Sequence, residues 1–255
     1  LFSQSENDYR RGEGLPERED WKTHEKGRYI KKEIKIDLVA VDGNQSLERI
    51  ELLIKIARYS LQYFKFNHVK IFTGYRDIAK LPKLKDIEYI HVSIPSIKEY
   101  NRFVLKDLHD YIVSSHYLIF QHDGFIVNPD NWDYNFLNYD YIGAVWSKRV
   151  WNTVNRVGNG GFSLRSKRLT KYYSTLNSNY SINEDKLICV DYYNILREEG
   201  FTFAPPELAA RFSLEVNTEY NSDFNKVFGF HGSSRAPHLY PRTLKLINSI
   251  KLTSG

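Results

Sequence analysis

The sequence predicts an α/β domain with a mostly parallel central sheet flanked by helices. Four short apolar runs typical of buried strands, at residues 36–41, 69–73, 87–92 and 117–120, are separated by helical patterns or short connections. Strands that alternate with helices favour a parallel sheet, because each crossover helix packs back onto a face of the sheet. A ligand crevice is then expected outside the carboxyl ends of the strands.

The first predicted helix follows the strand at residues 36–41. Ser46 is a helix-capping residue type, although Arg49 stands where a capping box has an acid. Apolar residues at helical spacing then give the helix one buried face: Ile50, Leu53, Ile54, Ala57 and Leu61. A second helix is predicted from about residue 97 to residue 112.

The second half of the chain has a less regular pattern. A glycine-rich turn at residues 158–161 leads into a strand or a helix start. The other expected elements are a short helix at 132–137, a strand at 141–146, a helix at 185–199 and strands at 201–203 and 227–230.

The charged and glycine-interrupted residues 1–33 have no sustained apolar period, so we expect a flexible lead-in or linker there. Residues 34–255 are expected to form one domain, with a nucleotide-binding half at 34–128 and an acceptor half at 129–255. The chain contains no methionine, even at position 1, which is compatible with a domain excised from a larger multidomain protein.

The composition excludes several classes of function. Lysine and arginine (36) exceed aspartate and glutamate (31) by five among the 255 residues. This excess is too small and too scattered for a nucleic-acid-binding face, although it suits an anionic ligand such as a nucleotide diphosphate. No apolar run approaches the roughly 18 residues of a membrane span. The single cysteine, Cys189, excludes an internal disulfide and a multi-cysteine zinc site.

Residues that suit metal or phosphate chemistry follow the strand at 117–120 directly, in the order Gln121, His122, Asp123, Gly124. A carboxylate at a strand end, with a polar residue two positions earlier, suits a divalent cation that bridges two phosphates. An ordinary Asp-Gly turn explains the same residues equally well.

Three later motifs also suit chemistry, each with a simpler structural explanation. The glycines of 158–161 permit a close approach of a ligand, and they also suit a tight turn. Glu184 and Asp185 are candidates for a general base, and they also suit the first turn of a helix. His231, next to Gly232, is a candidate metal ligand, although a lone histidine is more often simply hydrogen-bonded.

The order of these motifs resembles that of a GT-A glycosyltransferase, a Rossmann-like fold. More closely, segments 118–125 (LIFQHDGF), 139–144 (YDYIGA), 158–165 (GNGGFSLR) and 228–232 (GFHG after Phe228) look like one group of glycosyltransferase-like domains linked with bacterial surface polysaccharide. The resemblance covers residues 36–232. It implies transfer of a sugar from a nucleotide-sugar donor to a hydroxyl acceptor.

The resemblance also implies roles for individual residues. Asp185, chosen over Glu184, would be the base of an inverting reaction, and Arg165 would stabilise the departing diphosphate. Trp146 and Asn159 would contact the acceptor. Asp123 and His231 would hold Mn²⁺ or Mg²⁺, although Gln121 replaces the first acid of the Asp-x-Asp element and so puts metal dependence in question. The donor would contact Val41, Asp42, Asn101, Gln121, His122, Asp123, Gly160 and Gly161.

Two other functions remain open. The amide at Gln121 favours a non-catalytic carbohydrate-binding domain on a degenerate transferase fold. A metal-dependent phosphotransferase or nucleotide hydrolase would share the acidic strand end, but the sequence has no Walker or dinucleotide-binding glycine motif.

The expected partners follow from the leading hypothesis. They are a UDP-sugar as the favoured donor and a saccharide or lipid-linked saccharide as the acceptor, with no nucleic acid. We expect the protein in the cytoplasm, with peripheral association at the inner face of a membrane. The glycosylation sequon at Asn44 would place a glycan beside the nucleotide pocket, which disfavours a secreted protein.

Overall fold

The computed structural model describes residues 31–147, 153–220, 223–232 and 240–252. Of the predicted lead-in at 1–33, residues 1–30 lie outside the described part of the chain. The last part of this lead-in is folded rather than flexible, because Lys32 and Glu33 form a short strand parallel to Phe64–Lys65. Residues Lys31–Gly255 group as one compact unit, and the division into nucleotide and acceptor halves stays a prediction.

The strands, in chain order, are β1 Lys32–Glu33, β2 Asp37–Asp42, β3 Phe64–Lys65, β4 His68–Thr73, β5 Glu88–His91, β6 His116–Phe120, β7 Gly124–Ile126, β8 Tyr141–Ile142, β9 Ala144–Val145, β10 Val157–Gly158, β11 Ser163–Ser166, β12 Ser213–Leu214 and β13 Gly229–His231. The α-helices are α1 Leu47–Tyr63, α2 Ile97–Arg102, α3 Lys167–Tyr173, α4 Glu184–Lys186, α5 Tyr193–Glu198, α6 Pro206–Phe212 and α7 Pro241–Ser249. Short 3-10 turns cover Ile78–Lys80, Leu108–Tyr111, Pro129–Asn131, Tyr134–Asn138 and Phe224–Lys226.

A six-stranded sheet forms the centre of the described part of the chain, in the order β5-β4-β2-β6-β11-β8. The strands β5, β4, β2 and β6 are parallel, whereas β11 runs antiparallel to both of its neighbours. The predicted α/β class with a mostly parallel sheet is therefore confirmed. The carboxyl ends of β2 and β6 lie side by side, so Asp42 and the residues after Phe120 share one edge.

The α1 helix begins as the sequence predicts. The Ser46 hydroxyl accepts a hydrogen bond from the Arg49 backbone N–H at 3.4 Å. The predicted apolar positions Ile50, Leu53, Ile54 and Ala57 are buried. Because this face packs with β2 and β4 in one hydrophobic core, α1 fixes the loop that leaves the end of β2 next to the functional edge.

A second, three-stranded sheet in the order β12-β13-β7 brings the late histidine to the same edge. His231 in β13 is directly opposite Gly124 in β7. The Gly232 N–H donates to the Asp123 carbonyl at 2.7 Å. Two segments more than a hundred residues apart thus meet beside Asp123.

Several predicted elements differ from those observed. The predicted strand at 141–146 is split at Gly143, where a Cβ would lie 1.8 Å from the Gly158 carbonyl oxygen. The predicted strand at 201–203 pairs only through one bridge between Phe203 and Tyr141. The predicted helix at 132–137 is instead one 3-10 turn at Tyr134–Asn138.

The two long predicted helices at 97–112 and 185–199 are also interrupted. Each widens into one π-helical turn, at Phe103–Asp107 and at Leu187–Asp191. The turn at Leu187–Asp191 holds Cys189 in the interior, where burial raises the pKa of its thiol. Cys189 is therefore a packing residue.

Candidate functional site

A cavity of about 420 Å³ opens at the carboxyl ends of β2 and β6. Its walls come from the loop after β2, the start of α1, the segment before α2 and the residues after β6. Four of the residues predicted to contact a donor line it: Val41, Asp42, Gln121 and His122. The remaining lining residues are Gly43, Asn44, Arg49, Leu53, Ile94, Pro95, Ser96, Ile97 and Tyr100.

Both apolar and charged side chains line the cavity. The apolar residues include Ile94, Pro95 and Ile97. The charged residues are Arg49 and Asp42, with Arg49 Nη1 3.7 Å from Asp42 Oδ2. A flat ring with a polar edge suits such a pocket, because its faces contact apolar side chains and its edge meets hydrogen-bonding groups.

Gln121, which lines this cavity, is held in a defined orientation. Its Nε2 donates to the Tyr100 hydroxyl at 3.0 Å, which leaves its Oε1 directed toward Gly161. A Cβ at Gly161 would lie 2.8 Å from Gln121 Oε1 and 2.1 Å from His231 Nε2. Gly161 therefore has no room for a side chain, and the two polar atoms converge over its backbone.

Asp123 carries a buried oxygen that accepts no hydrogen bond among the described residues. This atom, Oδ1, lies 3.7 Å from His231 Nε2 and 3.5 Å from His122 Nδ1, beyond the usual hydrogen-bond range. Burial lowers the pKa of His122 despite the nearby carboxylates. For His231 burial acts in the same direction, but the neighbouring carboxylates of Glu215, Asp123 and Asp185 raise its pKa overall.

The oxygen atoms of this corner that are available to a divalent cation are Asp123 Oδ1 and Gln121 Oε1. An orphaned buried carboxylate oxygen costs free energy unless something binds it, and Gln121 Oε1 lies nearby. No group of three His, Cys, Asp or Glu side chains suited to a metal occurs in the described ranges. Phosphate and water oxygens would have to supply the remaining ligands, which is how Mg²⁺ is usually held.

Glu184 is not available as a general base, contrary to the sequence-based expectation. Its side chain is 5% exposed, and it forms an ion pair with the fully buried Arg165 at 2.9 Å. Arg165 Nη2 also donates to Glu184 Oε1 at 2.9 Å. The expected role of Arg165 on a diphosphate is wrong for the same reason, since its guanidinium is already neutralised in the interior.

Asp185, the preferred base, lies on the other side of this ion pair and is partly exposed. The Gly160 N–H donates to its Oδ2 at 3.1 Å, and the Lys186 N–H donates to its Oδ1 at 2.8 Å. A methyl group at Gly160 would collide with Glu184 Oε1 at 1.7 Å. The glycine segment and the acidic pair are thus in direct contact.

Asn101 does not line the cavity, contrary to the expected donor contact. It is buried, and its Nδ2 donates to the carbonyls of Tyr180 and Ile182, both at 2.9 Å. Its Oδ1 accepts from the Glu184 N–H at 3.2 Å. Asn101 therefore fixes the loop that carries the acidic pair.

The two residues expected to contact the acceptor are both buried. Trp146 is 5% exposed and packs in the hydrophobic core, where Gly158 leaves room for its ring. Asn159 is 2% exposed, with a left-handed φ of 69°. Its Nδ2 lies 3.1 Å from His231 Nδ1, and its Oδ1 accepts from the Gly161 N–H at 3.0 Å. Asn159 is a structural partner of His231.

The sequence-based reasoning missed three residues of this region. Tyr100 orients Gln121, Arg49 lines the cavity, and Glu215 lies 3.7 Å from His231 Nδ1. Arg49 carried a detectable signal, since it occupies the first turn of a helix that follows the strand end. Tyr100 carried none, because tertiary contacts alone bring it here.

The model of a family described as "Protein of unknown function (DUF5672)" matches residues 85–231, which is more than half of the 255 residues. This range includes Gln121, Asp123, Asp185 and His231. No curated protein matches the chain in sequence.

Several solved structures are similar to the chain at low identity. The bifunctional IspDF from Campylobacter jejuni has 13% identity and a TM-score of 0.44. A glycosyltransferase involved in the glycosylation of the major capsid of PBCV-1 has 15% identity and a TM-score of 0.45. The inositol-1-phosphate CTP transferase from T. maritima has 11% identity and a TM-score of 0.44.

The lengths matched in these structures differ. The similarity to IspDF covers 67% of this chain and 49% of that one, so the chain spans about half of its length. The similarity to the capsid glycosyltransferase covers 82% of this chain and 98% of that protein. The similarity to the CTP transferase covers 88% of this chain and 99% of that protein. Among the described residues, no helix has the length and apolar character needed to cross a membrane.

Proposed function

The chain belongs to this family, DUF5672, and from the site itself we propose that it is an inverting glycosyltransferase that moves a sugar from a nucleotide-sugar donor to a hydroxyl acceptor. One observation carries the proposal. The cavity at the carboxyl edge of the parallel strands is lined by Gln121, whose Oε1 lies over Gly161 together with His231 Nε2. Asp123 Oδ1 is 3.7 Å from that nitrogen, and the neighbouring Gly160 N–H donates to Asp185. A nucleoside, a diphosphate and a reacting sugar need three such regions in a row.

The nucleoside part of the donor would occupy the cavity. A ligand in a sheet of this type binds outside the carboxyl ends of its strands. The apolar residues around Ile94 would contact the face of the base, and Asp42 would accept hydrogen bonds from ribose hydroxyls. The volume of about 420 Å³ is within the range of small-molecule sites.

The diphosphate would lie at the corner of Gln121, Asp123 and His231. Asp123 Oδ1 and Gln121 Oε1 would hold Mg²⁺ or Mn²⁺ there, and the cation, when bound, supplies positive charge for the departing diphosphate. Gln121 contributes no charge, so just one of these two oxygen ligands is a carboxylate. We therefore expect the cation to bind well only together with the diphosphate.

Asp185 would act as the general base. As the acceptor oxygen forms a bond to the anomeric carbon, its proton passes to the Asp185 carboxylate, and the bond from that carbon to the diphosphate oxygen breaks. The hydrogen bond from the Gly160 N–H would keep the carboxylate at a fixed place beside the sugar. Because the acceptor oxygen attacks one face of the anomeric carbon and the diphosphate leaves from the opposite face, the configuration at this carbon is inverted.

Binding and product analysis test this proposal on the full chain. Isothermal titration with UDP-, GDP- and CMP-sugars, with and without Mg²⁺ or Mn²⁺, measures donor binding. Incubation with saccharide and lipid-linked saccharide acceptors, followed by mass spectrometry, identifies products. We expect one nucleotide-sugar, most readily a UDP-sugar, to bind more tightly with the cation and to give a glycosylated acceptor.

The same experiment separates the other two functions. Binding of saccharides without any donor turnover would favour a carbohydrate-binding domain. Release of phosphate or nucleoside monophosphate without sugar transfer would favour a phosphotransferase or nucleotide hydrolase. Absence of binding by every nucleotide-sugar would overturn the proposal.

A further inference from the structure

The two ring nitrogens of His231 have different surroundings. Nδ1 lies 3.1 Å from Asn159 Nδ2. Nε2 is directed over Gly161, and its nearest carboxylate oxygen, Asp123 Oδ1, is 3.7 Å away. What each nitrogen does depends on which of them carries the proton.

The orientation of the Asn159 amide follows from its other partner. The Gly161 backbone N–H donates to one end of the amide at 3.0 Å, and a backbone N–H meets only an acceptor. That end is therefore the carbonyl oxygen. The end that faces His231 must be the NH₂ group, which donates and has no lone pair to accept with.

A donor at Nδ1 fixes the tautomer of the neutral ring. Nδ1 must accept, so the ring hydrogen sits on Nε2. Glu215 is the other group near Nδ1, and at 3.7 Å its Oε1 is beyond the usual hydrogen-bond distance. A metal-ligating histidine has the opposite arrangement, because it donates its second ring N–H to a carboxylate, a carbonyl or water.

We infer that His231 binds an anionic ligand through its Nε2–H, and that it is not a metal ligand. Resting on the proposed function, the anion is the diphosphate of the nucleotide-sugar, held on one side by His231 and on the other by the cation at Asp123. Because the Asp123 oxygen is too far away to take this hydrogen, the Nε2–H is available to a phosphate oxygen. The predicted metal role of His231 does not fit its hydrogen bonds.

The first test measures the tautomer directly and needs no activity. Long-range ¹H–¹⁵N correlation spectra of the ¹⁵N-histidine-labelled full chain, at a pH where His231 is neutral, distinguish the two ring nitrogens. His231→Gln identifies the signal. We expect hydrogen on Nε2 and none on Nδ1, and hydrogen on Nδ1 would overturn the inference.

The second test reverses the donor at Nδ1. In Asn159→Asp, one carboxylate oxygen still accepts from Gly161, and the other accepts from Nδ1 of the ring. Aspartate tolerates the left-handed backbone at this position. At a pH where the ring of the variant is neutral, we expect its hydrogen on Nδ1 and the affinity for UDP and for pyrophosphate about tenfold lower, because Nε2 then has no hydrogen to donate. An unchanged affinity would contradict the inference.

A pair of variants at His231 separates donation from metal binding. Glutamine keeps an N–H donor of similar reach, whereas alanine has none. We expect His231→Gln to bind pyrophosphate within about threefold of the parent protein and His231→Ala to bind about tenfold more weakly. If both variants lose affinity equally, and only with Mn²⁺ present, His231 is a metal ligand after all.

These results are independent of the proposed function. A protein with the expected tautomer and pyrophosphate binding, but with no turnover of any nucleotide-sugar, would keep the assignment of His231. It would remove only the glycosyltransferase proposal.

Discussion

Arg165 and Glu184 face each other in the interior through two N···O contacts of 2.9 Å. Neither side chain has appreciable contact with solvent. Burial raises the pKa of Glu184, although the charge of Arg165 opposes this shift. A buried ion pair of this kind gives little net stability relative to apolar residues, but loss of one partner leaves a buried charge uncompensated.

The first prediction concerns this pair. We expect Glu184→Gln to lower the free energy of unfolding by about 3–5 kcal/mol, because Arg165 keeps its charge without a counter-ion. The double variant Arg165→Met with Glu184→Leu should recover most of that loss. Urea unfolding followed by circular dichroism measures both changes.

An exposed ion pair provides the control. Lys186 Nζ contacts Asp191 Oδ1 at 2.6 Å at the surface, and Asp191→Asn should change the free energy of unfolding by less than about 1 kcal/mol. If Glu184→Gln lowered the free energy of unfolding as little as Asp191→Asn, the ion pair between Arg165 and Glu184 would not have the importance for stability that we infer.

Asp185 has a separate role from its neighbour. We expect Asp185→Asn to keep the fold, because the asparagine oxygen still accepts from the Gly160 N–H. Sugar transfer should fall about 10²- to 10⁴-fold, since the amide cannot take the proton of the acceptor. Donor binding by titration calorimetry should stay the same, and Asp191→Asn serves as the matched active control. Transfer above a tenth of the parent rate would exclude Asp185 as the base.

The local pattern predicted the central sheet and the edge of the sheet at which the cavity opens. Strand ends such as Asp42 and Gln121 can be predicted because the apolar runs stop there. Parallel strands then bring these ends to the same edge of the sheet. The structural roles of Glu184, Asn101 and Asn159 could not be predicted from the sequence. Each role depends on whether a partner such as Arg165 lies within hydrogen-bond distance in the folded protein. Such contacts between distant segments cannot be predicted from the local composition.

The close approach at Gly161 gives a third prediction. In Gly161→Ala the new methyl group meets His231 Nε2 and Gln121 Oε1, so both side chains must move. We expect a loss of about 1–3 kcal/mol of stability from overpacking, together with at least a tenfold loss of pyrophosphate affinity, because the anion contact at His231 moves with the ring.

Gly200 gives the matched control for that change. It has a φ of 81°, and an added Cβ would meet no atom within 4 Å. Gly200→Ala should therefore lower stability through backbone strain by about 1 kcal/mol and leave pyrophosphate binding unchanged. If Gly161→Ala behaves like Gly200→Ala in the binding assay, then Gly161 is only a turn residue.

The last prediction concerns stability and pH at Asp140. This buried carboxylate accepts hydrogen bonds from the Thr202 N–H at 2.9 Å and from Arg168 Nε at 2.7 Å. Burial alone would raise its pKa, but hydrogen bonds from Ser166, Thr202 and Arg168, with the charge of Arg168, lower it below 3.8. A carboxylate with a lowered pKa in the folded state stabilises the protein above its unfolded-state pKa. That contribution is lost as the pH falls through the folded-state value.

We therefore expect Asp140→Asn to lower the free energy of unfolding by about 2–3 kcal/mol at pH 7, because hydrogen bonds to a charged group are lost. The difference between the two proteins should be constant down to about pH 5. It should shrink below about pH 4, where protonation removes the charge of Asp140 in the parent protein as well. Urea unfolding at a series of pH values measures this difference. A gap that stays constant down to pH 2, or that widens there, would show that the charge of Asp140 contributes nothing to stability.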